Sequence, residues 1–266
     1  MRFVIVRSDV AGCEPNCPQW ISAEGAITAQ TPALLKKILK QSGKNRLPIL
    51  LSSPGGDLDA AMALGKLIRA KGLDVGVGWT SFADCWPDDA TCKLPAEQHG
   101  VYRGSPVTWR AYCIATCPFM LAGGRKRLAF GTLIGVSPFT MTVTSQKLFQ
   151  EERYRVVNGK KQVISRRVVK RGPVETHITT KLDKPVQRKL DAYRGAMGLA
   201  KGFLALYGRT TPKSFYYVTV KESLAAKLIT GMESARSLVD AHLCQTMPLA
   251  DNCISQVAAV ERKPVP

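Results

Sequence analysis

The sequence predicts an α/β protein built around a largely parallel sheet. Short apolar runs alternate with amphipathic stretches of helical period from Trp20 to Val136, and Gly, Pro or Ser turn signals separate them. The chain has 266 residues, 45% apolar and 22% charged, which is enough for a substantial core and close to the length at which cores divide. That composition argues against disorder, and no repeat of solenoid period is visible. The apolar stretch Leu58 to Ile68 carries charges and falls short of the roughly 18–20 residues that a spanning helix needs.

Phe3 to Val6 and Trp20 to Ile27 read as strands. Thr31-Pro32, a cap followed by a first-turn proline, opens a helix with Leu34, Leu35, Ile38 and Leu39. Leu47 to Leu51 is a buried strand, Ser53-Pro54-Gly55-Gly56 a turn, and Leu58 to Lys71 a helix ended by Gly72. Val75 to Trp79 is the next strand. Cys85 to Gly104 reads as a loop, Val107 to Tyr112 as a strand and Cys117 to Gly123 as a short apolar helix, with strands at Leu128 to Phe130 and Leu133 to Val136. From Phe149 the texture changes: basic and β-branched residues surround Asn158-Gly159, a strong two-residue hairpin signal, and predict a projecting ribbon over 149–181. Helical periodicity returns from Pro185 to Tyr207 and from Glu222 to Leu228.

Lys and Arg total 38 against 20 Asp and Glu, a formal charge of +18, and half of that excess lies between Lys147 and Lys189. The ribbon cations are Arg153, Arg155, Lys160, Lys161, Arg166, Arg167, Lys170 and Arg171. A partner subunit is the expected cover for such an arm, because an isolated hairpin is marginal in water. Nucleic acid or anionic lipid are the alternatives that its charge suggests.

Eight cysteines form four pairs close in sequence: Cys13 with Cys17, Cys85 with Cys92, Cys113 with Cys117, and Cys244 with Cys253. Closed metal sites need four Cys or His ligands, yet the spacings are C-x3-C or longer and the chain has three histidines, so no metal is expected. Disulfides are favoured over free buried thiols, with Cys85–Cys92 the foremost local bridge, and disulfides point to export. The apolar run after Met1 is too short for a signal-peptide core, which leaves either a leader absent from this chain or reduced thiols.

Ser53-Pro54-Gly55-Gly56-Asp57 between a buried strand and an amphipathic helix can turn successive N–H groups toward an oxyanion. Together with Ala60 to Ile68, the phrase Cys113-Ile114-Ala115-Thr116-Cys117-Pro118-Phe119-Met120-Leu121-Ala122-Gly123-Gly124, Ile134 to Phe139, Thr211-Pro212 and Val218 to Glu222, this resembles the Clp protease proteolytic subunit family. The nearest resemblance is to its exported bacterial members, and it runs from about Trp20 to Thr230. It implies a crotonase-type fold of stacked ββα units, a Ser-His-Asp peptidase and a homo-oligomer.

Carried over residue by residue, the family's oxyanion glycines fall at Gly55 and Gly56. Its nucleophilic serine falls at Ala115 and its histidine at Ser137, while its acid falls around Lys213 to Tyr216, where there is no carboxylate. A triad needs nucleophile, base and orienting group together, so the resemblance implies a peptidase scaffold with its chemistry lost. Two rescues are weighed: Thr116 as a displaced nucleophile, and Ser137 activated by Lys126. His99, His177 and His242 lie outside the motifs and read as surface residues. Gly76-Val77-Gly78 lacks the third glycine of a dinucleotide fingerprint and sits in a strand, so no cofactor is expected.

The expectation is therefore an exported, periplasmic, Clp-protease-like binding or assembly subunit, with peptide or protein as ligand. It has a cysteine-containing extension at 1–19, a main domain at 20–235 that includes the ribbon, and a cysteine-containing tail at 236–266. The alternatives are an active hydrolase using Thr116 and a cationic module for nucleic acid or anionic membrane.

Overall fold

The computed structural model describes residues 1–95, 98 and 100–240; His99, His242 and the Cys244/Cys253 pair lie outside the described residues. The α/β class holds. A seven-stranded sheet in the order β5-β6-β1-β2-β3-β4-β8 forms the body. Its strands are β1 (Arg2–Ser8), β2 (Gln19–Glu24), β3 (Ile49–Ser52), β4 (Val75–Val77), β5 (Trp79–Phe82), β6 (Tyr102–Val107) and β8 (Arg127–Leu128). The run β2-β3-β4-β8 is parallel, whereas β1 pairs antiparallel with β2, and β5 antiparallel with β6. A small second sheet joins β7 (Tyr112–Ile114), β9 (Leu133–Val136) and β12 (Tyr216–Tyr217), in the order β12-β9-β7.

Two sequence expectations are corrected here. Residues 1–19 are not an appended extension, because β1 lies between β6 and β2 with Phe3, Ile5 and Val6 buried. Its second neighbour, β6, begins inside the stretch read as loop, 96 residues along the chain by the pairing Ser8↔Gly104, so local pattern could not reveal the pairing. The expected strand Val75 to Trp79 is two strands: after Gly78 the chain leaves the β3–β4–β8 ladder and pairs with β6 instead.

The parallel strands are joined by α1 (Thr31–Gln41) and α2 (Leu58–Lys71). The side chain of Asp57 accepts from Ala60 N–H at 2.8 Å, and Gly72 closes α2 at φ 62°, a left-handed cap that suits glycine. A Cβ at Gly65 would lie 1.8 Å from the Tyr193 hydroxyl and 2.5 Å from the Phe119 carbonyl oxygen. Bare backbone there lets α2 pack against α3 (Cys117–Ala122) and α4 (Lys184–Ala196). Phe119 then sits among Phe139, Tyr193, Phe203 and Tyr207, with ring centroids 5.4–5.9 Å away.

Buried Arg127 takes backbone carbonyls in place of a carboxylate. Its guanidinium donates to Ala122 O, Gly124 O and Lys227 O, and Arg69 donates to Ala122 O and Met197 O. These carbonyls end α3, α4 and the short helix Val220–Ala225, and the negative ends of helix dipoles favour cations. Burial still pushes Arg127 down to about 10.

The ribbon is longer than expected and starts earlier. β10 (Met141–Val157, 17 residues) pairs antiparallel with β11 (Lys160–Thr179, 20 residues). Asn158 and Gly159 stand at φ 51° and 74°, the left-handed pair of a type I′ turn. Three register shifts, near Leu148, Gln150 and Tyr154, put extra residues into β11. Nearly every side chain of the hairpin is exposed.

Candidate binding site at the strand-to-helix elbow

Ser53 to Gly56 lie where β3 ends and α2 begins, and this loop is held on both sides. Ile27 N–H donates to Gly55 O at 2.8 Å and Asp57 N–H to Ile27 O at 2.9 Å. Ser53 N–H donates to Tyr112 O at 2.9 Å and Ile114 N–H to Ser53 O at 3.0 Å, tying the loop to β7. Gly56 has φ 141°, and a Cβ on it would lie 2.0 Å from Ile27 O, so no other residue fits without moving backbone. A Cβ on Gly55, at φ 88°, would lie 2.9 Å from the Ala115 Cβ and 2.8 Å from Thr116 N. The loop and Ala115, far apart in sequence, are in contact.

Ala115 stands on a sharp elbow between β7 and α3. Its φ of 55° is left-handed, a conformation that costs an alanine on the order of 1–2 kcal/mol. Its N–H donates to Gly135 O at 2.9 Å, and the buried Tyr207 hydroxyl donates to its carbonyl at 3.0 Å. Burial raises the Tyr207 phenol well above its ordinary value, so it stays a donor. The Cys113–Cys117 disulfide, with both residues fully buried, closes the elbow around Ala115. Cys13–Cys17 and Cys85–Cys92 are bonded as well.

The N–H groups divide differently from the sequence expectation. Gly55 N–H donates to Ser53 Oγ at 3.1 Å, and so is already occupied. Gly56 N–H and Thr116 N–H, the latter just ahead of α3, have no hydrogen-bond partner among the described residues. The Thr116 hydroxyl donates to Gly56 O at 3.1 Å, a second clasp across the elbow. Gly56, Ala115, Thr116 and Ser137 line one cavity of 480 Å³, with Asp57, Asp59, Phe139 and Tyr207 among its other walls. Phe139 stacks on Tyr207 at 4.5 Å, and beyond this pair opens a second cavity of 690 Å³ that reaches Gln187 and Asp191 of α4.

Sequence reasoning missed Asp57 and Asp59 as walls of this cavity. Both are engaged elsewhere: Asp57 caps α2, and Asp59 pairs with Lys189. It also missed Glu222. That carboxylate lies six residues beyond Tyr216, whose hydroxyl donates to it at 2.6 Å, and Tyr216 pairs with Val136, the residue before Ser137. Its sequence signal was Thr219-x-x-Glu222, which forms a complete capping box. Tyr216, Thr219 and Arg209 hold Glu222 down at about 2, so it is a fixed anion with its oxygens occupied. Lys126 is paired with Glu233 at 3.1 Å, and the Thr116 hydroxyl is engaged with Gly56 O. His177 is exposed on β11, and among the described residues no cluster of three or more His, Cys, Asp or Glu could hold a metal.

No protein-family model matches the chain, and no curated protein matches it. Among solved structures, a mutant of the 1510-N membrane-bound stomatin-specific protease is similar over 80% of this chain and 78% of its own, at 15% identity and a TM-score of 0.40. A second mutant of that protease, in complex with a substrate peptide, is similar over 80% of this chain and 74% of its own, again at 15% identity and a TM-score of 0.40. Likeness this distant carries no functional argument. The three disulfides indicate an oxidising, exported setting, and among the described residues no helix is long and apolar enough to cross a membrane.

Proposed function

We propose that the chain is a non-hydrolysing binding protein on a Clp-protease-like, crotonase-type scaffold, exported to the periplasm, which holds an extended peptide or protein segment at the elbow cavity. The observation that carries this reading is the occupant of the elbow. A strained strand-to-helix turn, stapled by a disulfide and facing a pinned glycine loop, presents a methyl group at Ala115 where acyl-transfer chemistry needs a nucleophile. Ser137 across the cavity cannot act as a base near neutral pH. What remains suits binding: the Gly56 and Thr116 N–H groups are open donors for a backbone carbonyl, and the Phe139–Tyr207 wall offers apolar surface.

The test compares turnover with binding. Wild-type protein should neither react with a fluorophosphonate probe nor cleave a peptide library, yet should retain peptides in a fluorescence-polarisation screen. Ala115→Ser alone should recover almost nothing, because a hydroxyl without a base is a poor nucleophile. Ala115→Ser with Ser137→His rebuilds two of three functional groups and should give weak turnover. Robust hydrolysis by the wild type, unchanged in Thr116→Val, would sink the reading.

A further inference from the structure

The turn end of the ribbon mixes apolar and cationic side chains on both of its faces. Paired residues share a face and successive pairs alternate, so Val156↔Lys161 and Tyr154↔Val163 lie on one side and Val157↔Lys160 and Arg155↔Gln162 on the other. Each of the two rows next to the Asn158-Gly159 turn therefore sets a valine beside a lysine. Ile164 falls at the register shift opposite Arg153 and Tyr154, without a strand partner of its own. Tyr154, Val156, Val157, Val163 and Ile164 are all exposed. From Glu151 to Arg167 there are six Lys or Arg against two Glu, a net charge of +4. Glu152 pairs with Lys161 and Arg166, at 3.1 and 2.8 Å, whereas Arg153, Arg155, Lys160 and Arg167 have no ion-pair partner among the described residues.

We propose that the turn end of the ribbon is a docking surface for an anionic phospholipid bilayer and enters the headgroup layer tip first. Charge complementarity is the first argument: four cations without internal ion pairs can meet lipid phosphates, and each Lys or Arg near such a surface strengthens binding several-fold. The second is the distribution of apolar side chains. A bilayer approached tip first covers both faces of the ribbon at once, so Val156 and Val157, which point to opposite sides, leave water together. Lys160 and Lys161 beside them can lay their methylene stems along the valines and lift their ammonium groups to the phosphates. The third is depth. Successive rows are roughly 3.3 Å apart, so Val156 and Val157 lie within about 7 Å of the turn and Arg153 and Arg155 roughly 10–17 Å from it. Entry by about 5–10 Å thus sinks the valines and leaves the arginines level with the phosphates. Deeper entry is barred, because a two-stranded ribbon has two open edges whose N–H and C=O groups need headgroup or water partners. A nucleic acid would use the cations but leave the apolar side chains in water, and the three disulfides place the chain in an exported setting, beside membranes rather than nucleic acid. The proposal is independent of the elbow reading, since none of these residues lines the elbow cavity.

The full chain tests it by cosedimentation with phosphatidylcholine vesicles that contain about 30% phosphatidylglycerol, and with vesicles of phosphatidylcholine alone. Binding is expected to the anionic vesicles only, and it should weaken as salt rises from about 0.1 M to about 0.5 M. Arg153→Gln with Arg155→Gln and Arg167→Gln should lower vesicle affinity on the order of a hundredfold at low salt. Val156→Ser with Val157→Ser and Ile164→Ser should lower it on the order of tenfold or more. Two control variants should bind like the wild type. Val174→Ser with Ile178→Ser removes apolar side chains that are just as exposed, at 61% and 73% against 65% and 66% for Val156 and Ile164, but far from the turn. Lys36→Gln with Lys37→Gln and Lys40→Gln removes as many charges from α1. Every substituted residue is exposed, so all four variants should keep the wild-type melting temperature. A wild type that ignores the anionic vesicles, tip variants that bind like it, or a control variant that loses as much as the tip variants would each overturn the proposal. So would a DNA duplex bound in preference to the vesicles and held equally well by the serine tip variant, which would name nucleic acid as the occupant.

Discussion

Replacing Gly56 by alanine tests the pinned loop that faces the elbow. The added Cβ would lie 2.0 Å from Ile27 O, 2.9 Å from Ile27 C and 3.1 Å from Ile27 N, all of them backbone atoms that cannot rotate away. Clearing the overlap means parting the loop from Ile27 and losing the Ile27 N–H to Gly55 O and Asp57 N–H to Ile27 O bonds, at 2.8 and 2.9 Å. Two such bonds contribute about 2 kcal/mol net, and an alanine near φ 141° adds about 1–3 kcal/mol of strain, so the expected loss is about 3–5 kcal/mol. In a chain of this length that corresponds to roughly 6–20 °C in melting temperature. Urea unfolding followed by tryptophan fluorescence reads it, with Trp20 wholly buried in the native state. The control is Gly195→Ala on exposed α4, where nothing lies within 4 Å of the added Cβ, and there the same substitution should stabilise by about 1 kcal/mol. A Gly56→Ala loss below about 1 kcal/mol would refute the backbone contact and with it the rigidity assigned to the loop.

Tyr207→Phe keeps the stack on Phe139 but removes the donor to Ala115 O, and should cost about 1–2 kcal/mol in urea unfolding; a neutral result would detach Tyr207 from the elbow. Glu222 is held from 4.5 down to about 2, so its stabilising contribution is complete above pH 4.5 and disappears as pH falls through about 2. Stability measured across that window should fall less steeply in Glu222→Gln than in the wild type, and equal slopes would contradict the Tyr216–Arg209–Thr219 cluster. Six of the eight cysteines are paired, so thiol titration of denatured, unreduced protein should find at most two thiols, and more would refute the disulfides.

The α/β class, the bounds of α2 and the hairpin turn were legible in the sequence because each rests on local chemistry: apolar periodicity, the Asp57 and Gly72 caps, and two residues that tolerate positive φ. The Cys85–Cys92 bridge was legible for the same reason, since a short loop brings the thiols together, whereas the sequence left the connectivity of the other cysteines open and the structure supplies Cys13–Cys17 and Cys113–Cys117. That Ala115 and Ser137 hold no nucleophile or base is also written in the residues themselves, but their meeting with Gly56 around one cavity is a tertiary fact, because it depends on β7 and β9 pairing and on Ser53 bridging to Cys113. Long-range pairing likewise decided that β1 belongs inside the sheet and that Glu222 reaches Tyr216. The ribbon shows the limit most clearly. Its alternation of basic and β-branched residues predicted strands, yet the extra residues at the three register shifts reverse which side of β11 each later residue occupies. Only the pairing with β10 therefore decides which residues of β11 share a side, since a strand's sequence specifies alternation but its partner sets the phase.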